Sequence, residues 1–292
     1  MMFNIAGLNI RISFAGNRFG FNLLPSFRNF AVREANDNGL LLDFVVDDSL
    51  TFPDAIKGKF CKDVETGNGI ISVERFEDDS YLFDIHDITG ELCCRLMAGR
   101  AFRHCRCALY GSRISQSFGL NTALMLAFAF AGSFKQAILL HASLVRRNGY
   151  GYAFIAKSGT GKSTHTALWM ENLPDCDLIN DDNPVLRIVN GRVWLYGSPW
   201  SGKTPCYRNV GVPLGAITKI VRDNANFITE LSSLEAFSSM LSAVSTMKWD
   251  VDIHDNVCGV IKTVIESGRV YALHCLPDKE AAIVCSKAIC VR

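Results

Sequence analysis

The chain has 292 residues, 49% hydrophobic and 20% charged, with 30 Lys and Arg against 29 Asp and Glu and a formal net charge of +1. That apolar share fills a sizeable core and excludes disorder as the general state. The balanced charge excludes a protein that grips nucleic acid or an anionic membrane with its whole surface, and the length fits one large or two ordinary domains.

The first residues, Met1-Met2-Phe3-Asn4-Ile5, lack the basic and long apolar regions of a secretory signal, so a cytoplasmic location is expected. Residues 9–14 alternate polar and apolar as a half-buried strand does, and 40–46 form a short apolar run. Residues 69–76 and 80–85 read as a hairpin around Glu77-Asp78-Asp79. Together they spell a mostly-β N-terminal module over 1–105, expected to serve the substrate side or oligomerisation. The only close cysteine pairs are Cys93-Cys94 and Cys105-Arg106-Cys107, and no C-x-x-C occurs. Reduced core thiols are therefore expected rather than a zinc site.

Residues 114–134 are 21 positions without a charge. Ser115, Gln116, Ser117, Asn121, Thr122 and Ser133 leave the apolar part short of the ~20 residues a membrane span needs. The spacing predicts a buried helix over 117–137. Next come a buried strand over 138–145, a turn at Arg147-Asn148-Gly149 and a second buried strand over 151–156. Strand, loop and helix alternate to about residue 190, the pattern of an α/β core. Further strand-like runs are 210–221 and 257–276, and helices are predicted over 233–247 and 278–288. The second domain is thus drawn over 106–292.

The strongest chemical signal is Ala156-Lys157-Ser158-Gly159-Thr160-Gly161-Lys162-Ser163. It fits the P-loop pattern G-x-x-x-x-G-K-[ST] except that Ala156 replaces the first glycine, a position that needs compactness more than positive φ. An apolar strand precedes it and a helix is predicted to follow from Lys162. Gly159 and Gly161 let the backbone curl so that successive N–H groups face one anion, and the helix N-terminus adds partial positive charge. Ser158, Gly159, Thr160, Gly161, Lys162, Ser163 and Thr164 are the expected nucleotide-binding residues. Lys162 reaches the β- and γ-phosphates, and the Ser163 hydroxyl ligates Mg²⁺.

Asp177-Leu178-Ile179-Asn180-Asp181-Asp182 is a short apolar strand ending in two adjacent carboxylates. Beside a P-loop strand it presents acids to metal and phosphate at the sheet edge. One acid can hold Mg²⁺ while the other takes a proton from an attacking hydroxyl.

Leu140-His141-Ala142-Ser143, the loop from Ser158 to Thr164, and Ile179-Asn180-Asp181-Asp182 together resemble the kinase core of ATP-dependent phosphoenolpyruvate carboxykinase. They are similar also to the HPr kinase/phosphorylases, which phosphorylate a protein serine. The resemblance implies a carboxykinase-like P-loop core with a mixed β-sheet. It implies that His141 is catalytic or close to the metal, that Asp181 and Asp182 share metal and proton duties, and that Arg208 is a phosphate-side arginine. Thr164 stands where the HPr kinases carry an acid, and the chain is far shorter than a carboxykinase, so the acceptor is not implied.

The turn-rich stretch 196–205, with Trp200 and Lys203, is a candidate for closing over the nucleotide or gripping the acceptor. His165 is expected to pack near the nucleotide, and Trp169 and Met170 to be core. Asp250, Asp252, His254 and Asp255 read as a solvated loop. The expected function is ATP- and Mg²⁺-dependent phosphoryl transfer to a hydroxyl, in a serine of a protein or peptide or in a small molecule. The alternatives are an ATP hydrolase or switch, and a non-catalytic nucleotide sensor. No nucleic acid or membrane partner is expected, and a homo-oligomer is compatible with the sequence. Charge is unevenly placed: residues 92–170 contain no Asp or Glu but ten Lys or Arg, a basic field around the glycine loop.

Overall fold

The computed structural model describes residues 1–33, 39–52, 60–202 and 204–291. It divides into two compact units, Met1–Ala131 and Gly132–Arg292, so nearly all of the long apolar helix falls with the first unit, beyond the 105/106 boundary drawn from the sequence.

The first unit is built on β1 (Met2–Ile5), β2 (Leu8–Ala15), β3 (Ala31–Val32), β4 (Leu40–Asp47), β5 (Phe60–Thr66), β6 (Gly69–Arg75), β7 (Tyr81–Asp87), β8 (Leu92–Ala98) and β9 (His104–Leu109). They form one sheet in the order β3-β1-β2-β4-β9-β8-β7-β6-β5. Strands β2, β4 and β9 run parallel, whereas β5 to β9 form an antiparallel meander. Helix α1 (Arg113–Ser133) brings Phe130 against Phe83 and Phe102, with ring centroids 6.4 and 5.0 Å apart. Among the described residues α1 is the one helix long and apolar enough to cross a membrane, and 56% of its apolar window is buried inside the protein. Leu120, Ala123, Leu124, Ala127 and Phe128 are among its buried residues, as the serines and Asn121 interrupting the run foreshadow. The thiols of Cys93, Cys94, Cys105 and Cys107 are buried on β8 and β9.

The second unit contains β10 (Ala137–Leu139), β11 (Ala142–Arg147), β12 (Tyr150–Ile155), α2 (Lys162–Asn172), β13 (Cys176–Asp182), β14 (Val185–Val189), β15 (Arg192–Tyr196), β16 (Gly211–Arg222), β17 (Phe227–Glu230), α3 (Ser233–Leu241), α4 (Val251–Glu266), β18 (Val270–Cys275) and α5 (Lys279–Ile289). The strand order is β10-β14-β15-β16-β12-β11-β13, with β18 paired to β16 and β17 to β18. The fold is mixed α/β, with large mixed sheets and few helices. Apolar residues of α3 and α4 pack in one core cluster and those of α2 and α5 in another, so each amphipathic helix buries one stripe.

Four sequence expectations change. The strand drawn over 138–145 is two strands, broken at Leu140-His141. The Leu140 amide donates to Pro184 O at 3.0 Å and the His141 amide to Ala243 O at 2.7 Å. β10 then pairs with β14, whereas β11 pairs with β12 and β13. The run 257–276 is not strand throughout: it begins inside α4, which buries Ile253, Val257, Val260, Ile261 and Val264 on one face. Asp250 caps α4 by accepting from the Ile253 amide at 3.0 Å, so the acids at 250–255 make a cap and first turn rather than a loop. Helix α3 ends at Leu241, six residues before the predicted end.

Strand direction positions the site. β12, β16 and β18 are mutually parallel. β11 is antiparallel to both β12 and β13. Four strands therefore finish at one sheet edge, at Ile155, Asp182, Arg222 and Cys275, and β11 begins there. Ligands of α/β sheets bind beyond such carboxyl ends.

Gly197 follows β15, and its amide donates to Val210 O at 3.0 Å. A Cβ built there would lie inside van der Waals contact of the Arg208 carbonyl oxygen. Gly197→Ala is expected to lower unfolding free energy by about 1–3 kcal/mol, as overpacking does. Denaturant unfolding checks it, and an unchanged midpoint would contradict the close approach.

Candidate functional site

The loop 156–161 joins β12 to α2. Its turns need left-handed backbone at Gly159 (φ 75°) and Gly161 (φ 128°), which a side chain would strain. Gly161 is the N-cap of α2 and supplies no side-chain cap. By contrast α3, α4 and α5 are capped by Ser232, Asp250 and Asp278. The first-turn amides of α2, with the positive end of its dipole, thus face the loop. Arg222, at the end of β16, braces the loop by donating to Thr160 O at 2.9 Å and to Gly159 O.

Lys162 is the first residue of α2 and is buried. Its Nζ lies 2.8 Å from His141 Nε2 and 3.3 Å from Ala156 O. An ammonium has only donors, so Nε2 accepts and His141 Nδ1 carries the ring proton. That Nδ1 is 2.9 Å from Asp182 Oδ1. Burial pulls the Lys162 pKa below its ordinary value, and the charges of Asp182 and Asp181 counter part of the shift.

Asp181 is 3% exposed. It accepts from Ser163 Oγ at 3.0 and 3.2 Å on its two oxygens, and also from Ser143 Oγ. Asp182 points the other way, to His141, from a backbone with φ 130°. Such a φ belongs almost to glycine alone, and strain of this kind concentrates at functional sites. The alternation of a strand separates the two acids: one turns to the Ser163 hydroxyl, the other to the imidazole.

The structure therefore brings together His141, Lys162, Ser163, Asp181 and Asp182, with Ser158, Gly159, Thr160, Gly161 and Thr164 in the same loop and helix turn. Arg208 stands apart. It donates to Asp177 Oδ2 at 2.5 Å and to Leu178 O at 2.6 Å, and Arg146 shares Asp177 at 2.9 and 2.7 Å. Burial pushes the Asp177 pKa up, but the two arginines outweigh it and hold the pKa low. Asp177 precedes Asp181 by four strand residues, about 13 Å.

The turn-rich stretch lies against the acids. The buried Asn180 amide donates to Ser198 Oγ and Trp200 O at 3.3 and 3.0 Å, and its oxygen accepts from the Asn183 amide at 3.0 Å. Ser201 Oγ and the Gly202 amide both donate to Asp181 O. Lys203 is outside the described residues. His165 is 3% exposed and its Nε2 accepts from Trp169 Nε1 at 2.9 Å. Burial pulls its pKa to about 4, so it is a neutral packing group. Trp169 is core as expected, whereas Met170 is 39% exposed on the outer side of α2.

Sequence reasoning gave no role to Ser143 or to Arg222. Ser143 lies in β11, two residues after His141, which stands in the break before that strand. Arg222 is a cation at the last position of a strand that ends beside the loop. Among the described residues no cluster of three or more His, Cys, Asp or Glu side chains is placed to hold a metal ion. Asp181 and Ser163 offer one carboxylate and one hydroxyl, a donor set suited to Mg²⁺ shared with phosphate oxygens and water rather than to an all-protein cage. No protein-family model and no curated protein matches the chain.

Proposed function

We propose that the protein transfers the γ-phosphoryl group of ATP, with Mg²⁺, to a hydroxyl of a protein or peptide serine or of a small molecule. The core is read as a carboxykinase-like P-loop unit of the HPr-kinase kind. One observation carries this reading. His141, Lys162, Ser163, Asp181 and Asp182, drawn from the residue before β11, the start of α2 and the end of β13, form two sets of polar contacts side by side at one sheet edge, Lys162–His141–Asp182 and Ser163–Asp181.

In this mechanism the loop amides hold the phosphates, and Lys162 exchanges His141 for phosphate oxygens. Asp181 and Ser163 are the residues that would hold Mg²⁺, which supplies charge neutralisation when bound. Asp182, oriented by the N–H of His141, takes the acceptor hydroxyl proton. The acceptor oxygen bonds to the γ-phosphorus as the bond to the leaving ADP oxygen breaks. The segment 198–202, tied to Asn180 and Asp181, forms the acceptor side. Arg208 has no part in this reading while Asp177 holds it.

Incubation with γ-labelled ATP, Mg²⁺ and serine peptides, proteins or small alcohols is expected to place label on an acceptor. Label released only as free phosphate with every acceptor class would favour hydrolysis instead.

A further inference from the structure

Along the edge the strand ends run β18, β16, β12, β11, β13. The acids sit at β13 and the glycine loop at β12. On the opposite side of the loop, over the ends of β16 and β18, lies a cavity of about 440 Å³, within the size range of small-molecule sites. Gly159, Thr160 and Gly161 form one wall, so it is continuous with the loop. Leu168, Ile220, Leu276 and Pro277 are apolar lining, and Arg222 and Asp223 are its charged groups. From β16 to β13 is three strand spacings, about 14 Å, the scale of a base, sugar and three phosphates in line.

Asp223 is a built feature of this wall. Its Oδ2 is 2.9 Å from His274 Nδ1, and its Oδ1 accepts from the Asn224 amide at 2.7 Å. The His274 ring is stacked on Phe227, centroids 4.5 Å apart and planes 7° from parallel, which fixes the imidazole and through it the carboxylate. The hydrogen bond from His274 holds the Asp223 pKa low, so the group is an acceptor only, with lone pairs left over. Arg222, its edge held by the loop carbonyls, offers a planar face of the kind that stacks on aromatic rings.

We propose that this cavity takes the base of the nucleotide and that Asp223 accepts a hydrogen bond from its exocyclic amine, selecting adenine over bases without one. The proposal rests on the phosphoryl-transfer reading for the position of the phosphates. It orients the nucleotide with its base over β16 and β18 and its last phosphate beside Asp181 and Asp182. A carboxylate also disfavours a base that presents a carbonyl there, since two acceptors would meet.

The test is calorimetry on the full chain with Mg²⁺ and ATP, inosine triphosphate or inorganic tripolyphosphate. ATP is expected to bind about tenfold or more tightly than inosine triphosphate, the worth of one hydrogen bond to a charged group. Asp223→Ala is expected to bring the two nucleotides together while tripolyphosphate still binds, which also shows that the variant is folded. Leu276→Glu, at a position 40% exposed, is expected to weaken ATP but not tripolyphosphate. Equal affinity of ATP and inosine triphosphate in the unaltered chain overturns the assignment of Asp223. ATP no tighter than tripolyphosphate overturns the base site and leaves the phosphate reading standing. Failure of both ATP and tripolyphosphate to bind overturns the two together.

Discussion

Asp182→Asn is expected to cut phosphoryl transfer by about 10²- to 10⁴-fold, the usual worth of a general base, while ATP affinity stays close to that of the unaltered chain. The expectation follows from the split between the two acids. Asp181 is spoken for by the Ser163 and Ser143 hydroxyls, so its loss should weaken Mg²⁺-dependent binding as well as turnover. Asp182 contacts neither hydroxyl in this arrangement and is instead paired to His141. Side-by-side titration of ATP and single-turnover assays of Asp181→Asn and Asp182→Asn would separate these patterns. Equal loss of binding in both variants would make the pair a shared metal site and remove the base. A companion variant, Asp182→Gly, relieves a backbone held at φ 130°. It is expected to gain stability of about 1 kcal/mol or more while losing transfer, which thermal unfolding beside activity would report.

The second large effect is at Lys162. Lys162→Ala is expected to lower transfer by about 10²- to 10³-fold, as loss of one preorganised charge-stabilising donor does, and to weaken ATP binding. The stability of the unliganded protein should move the opposite way or not at all. The ammonium is buried, burial lowers its pKa, and its partners are one imidazole and one carbonyl. Removing a poorly compensated buried charge seldom destabilises, and residues kept for function often carry such a penalty. A marked drop in melting temperature without ligand would show that Lys162 is structural.

Much of the site is legible before any coordinates, because a turn needing φ above zero, a helix start and a strand ending in two acids each leave a local mark. Gly159, Gly161, Lys162 and the pair Asp181-Asp182 are of this kind. The rest depends on partners remote in the chain. The run 138–145 is equally apolar whether it is one strand or two. Only the bonds of Leu140 and His141 to Pro184 and Ala243 break it, and that break puts His141 at the edge. Helix α4 was hidden by its β-branched residues, although their spacing is helical. Arg208 is captured by Asp177 and the Leu178 carbonyl, a pairing across about thirty residues that no local pattern records. The cavity is assembled from α2, β16 and β18, whose contributing residues are more than fifty positions apart in places.

The contacts of Lys162 and Ser163 bear on selectivity by charge. Neither side chain waits idle: one is engaged by His141 and the other by Asp181. An incoming anion must therefore win an exchange rather than fill a gap, and each exchange subtracts from its affinity. A single phosphate offers few oxygens with which to displace both partners, whereas a triphosphate spans the loop and both side chains at once. If the proposed nucleotide site is right, the internal pairing sets a threshold that favours long polyanions over a single phosphate.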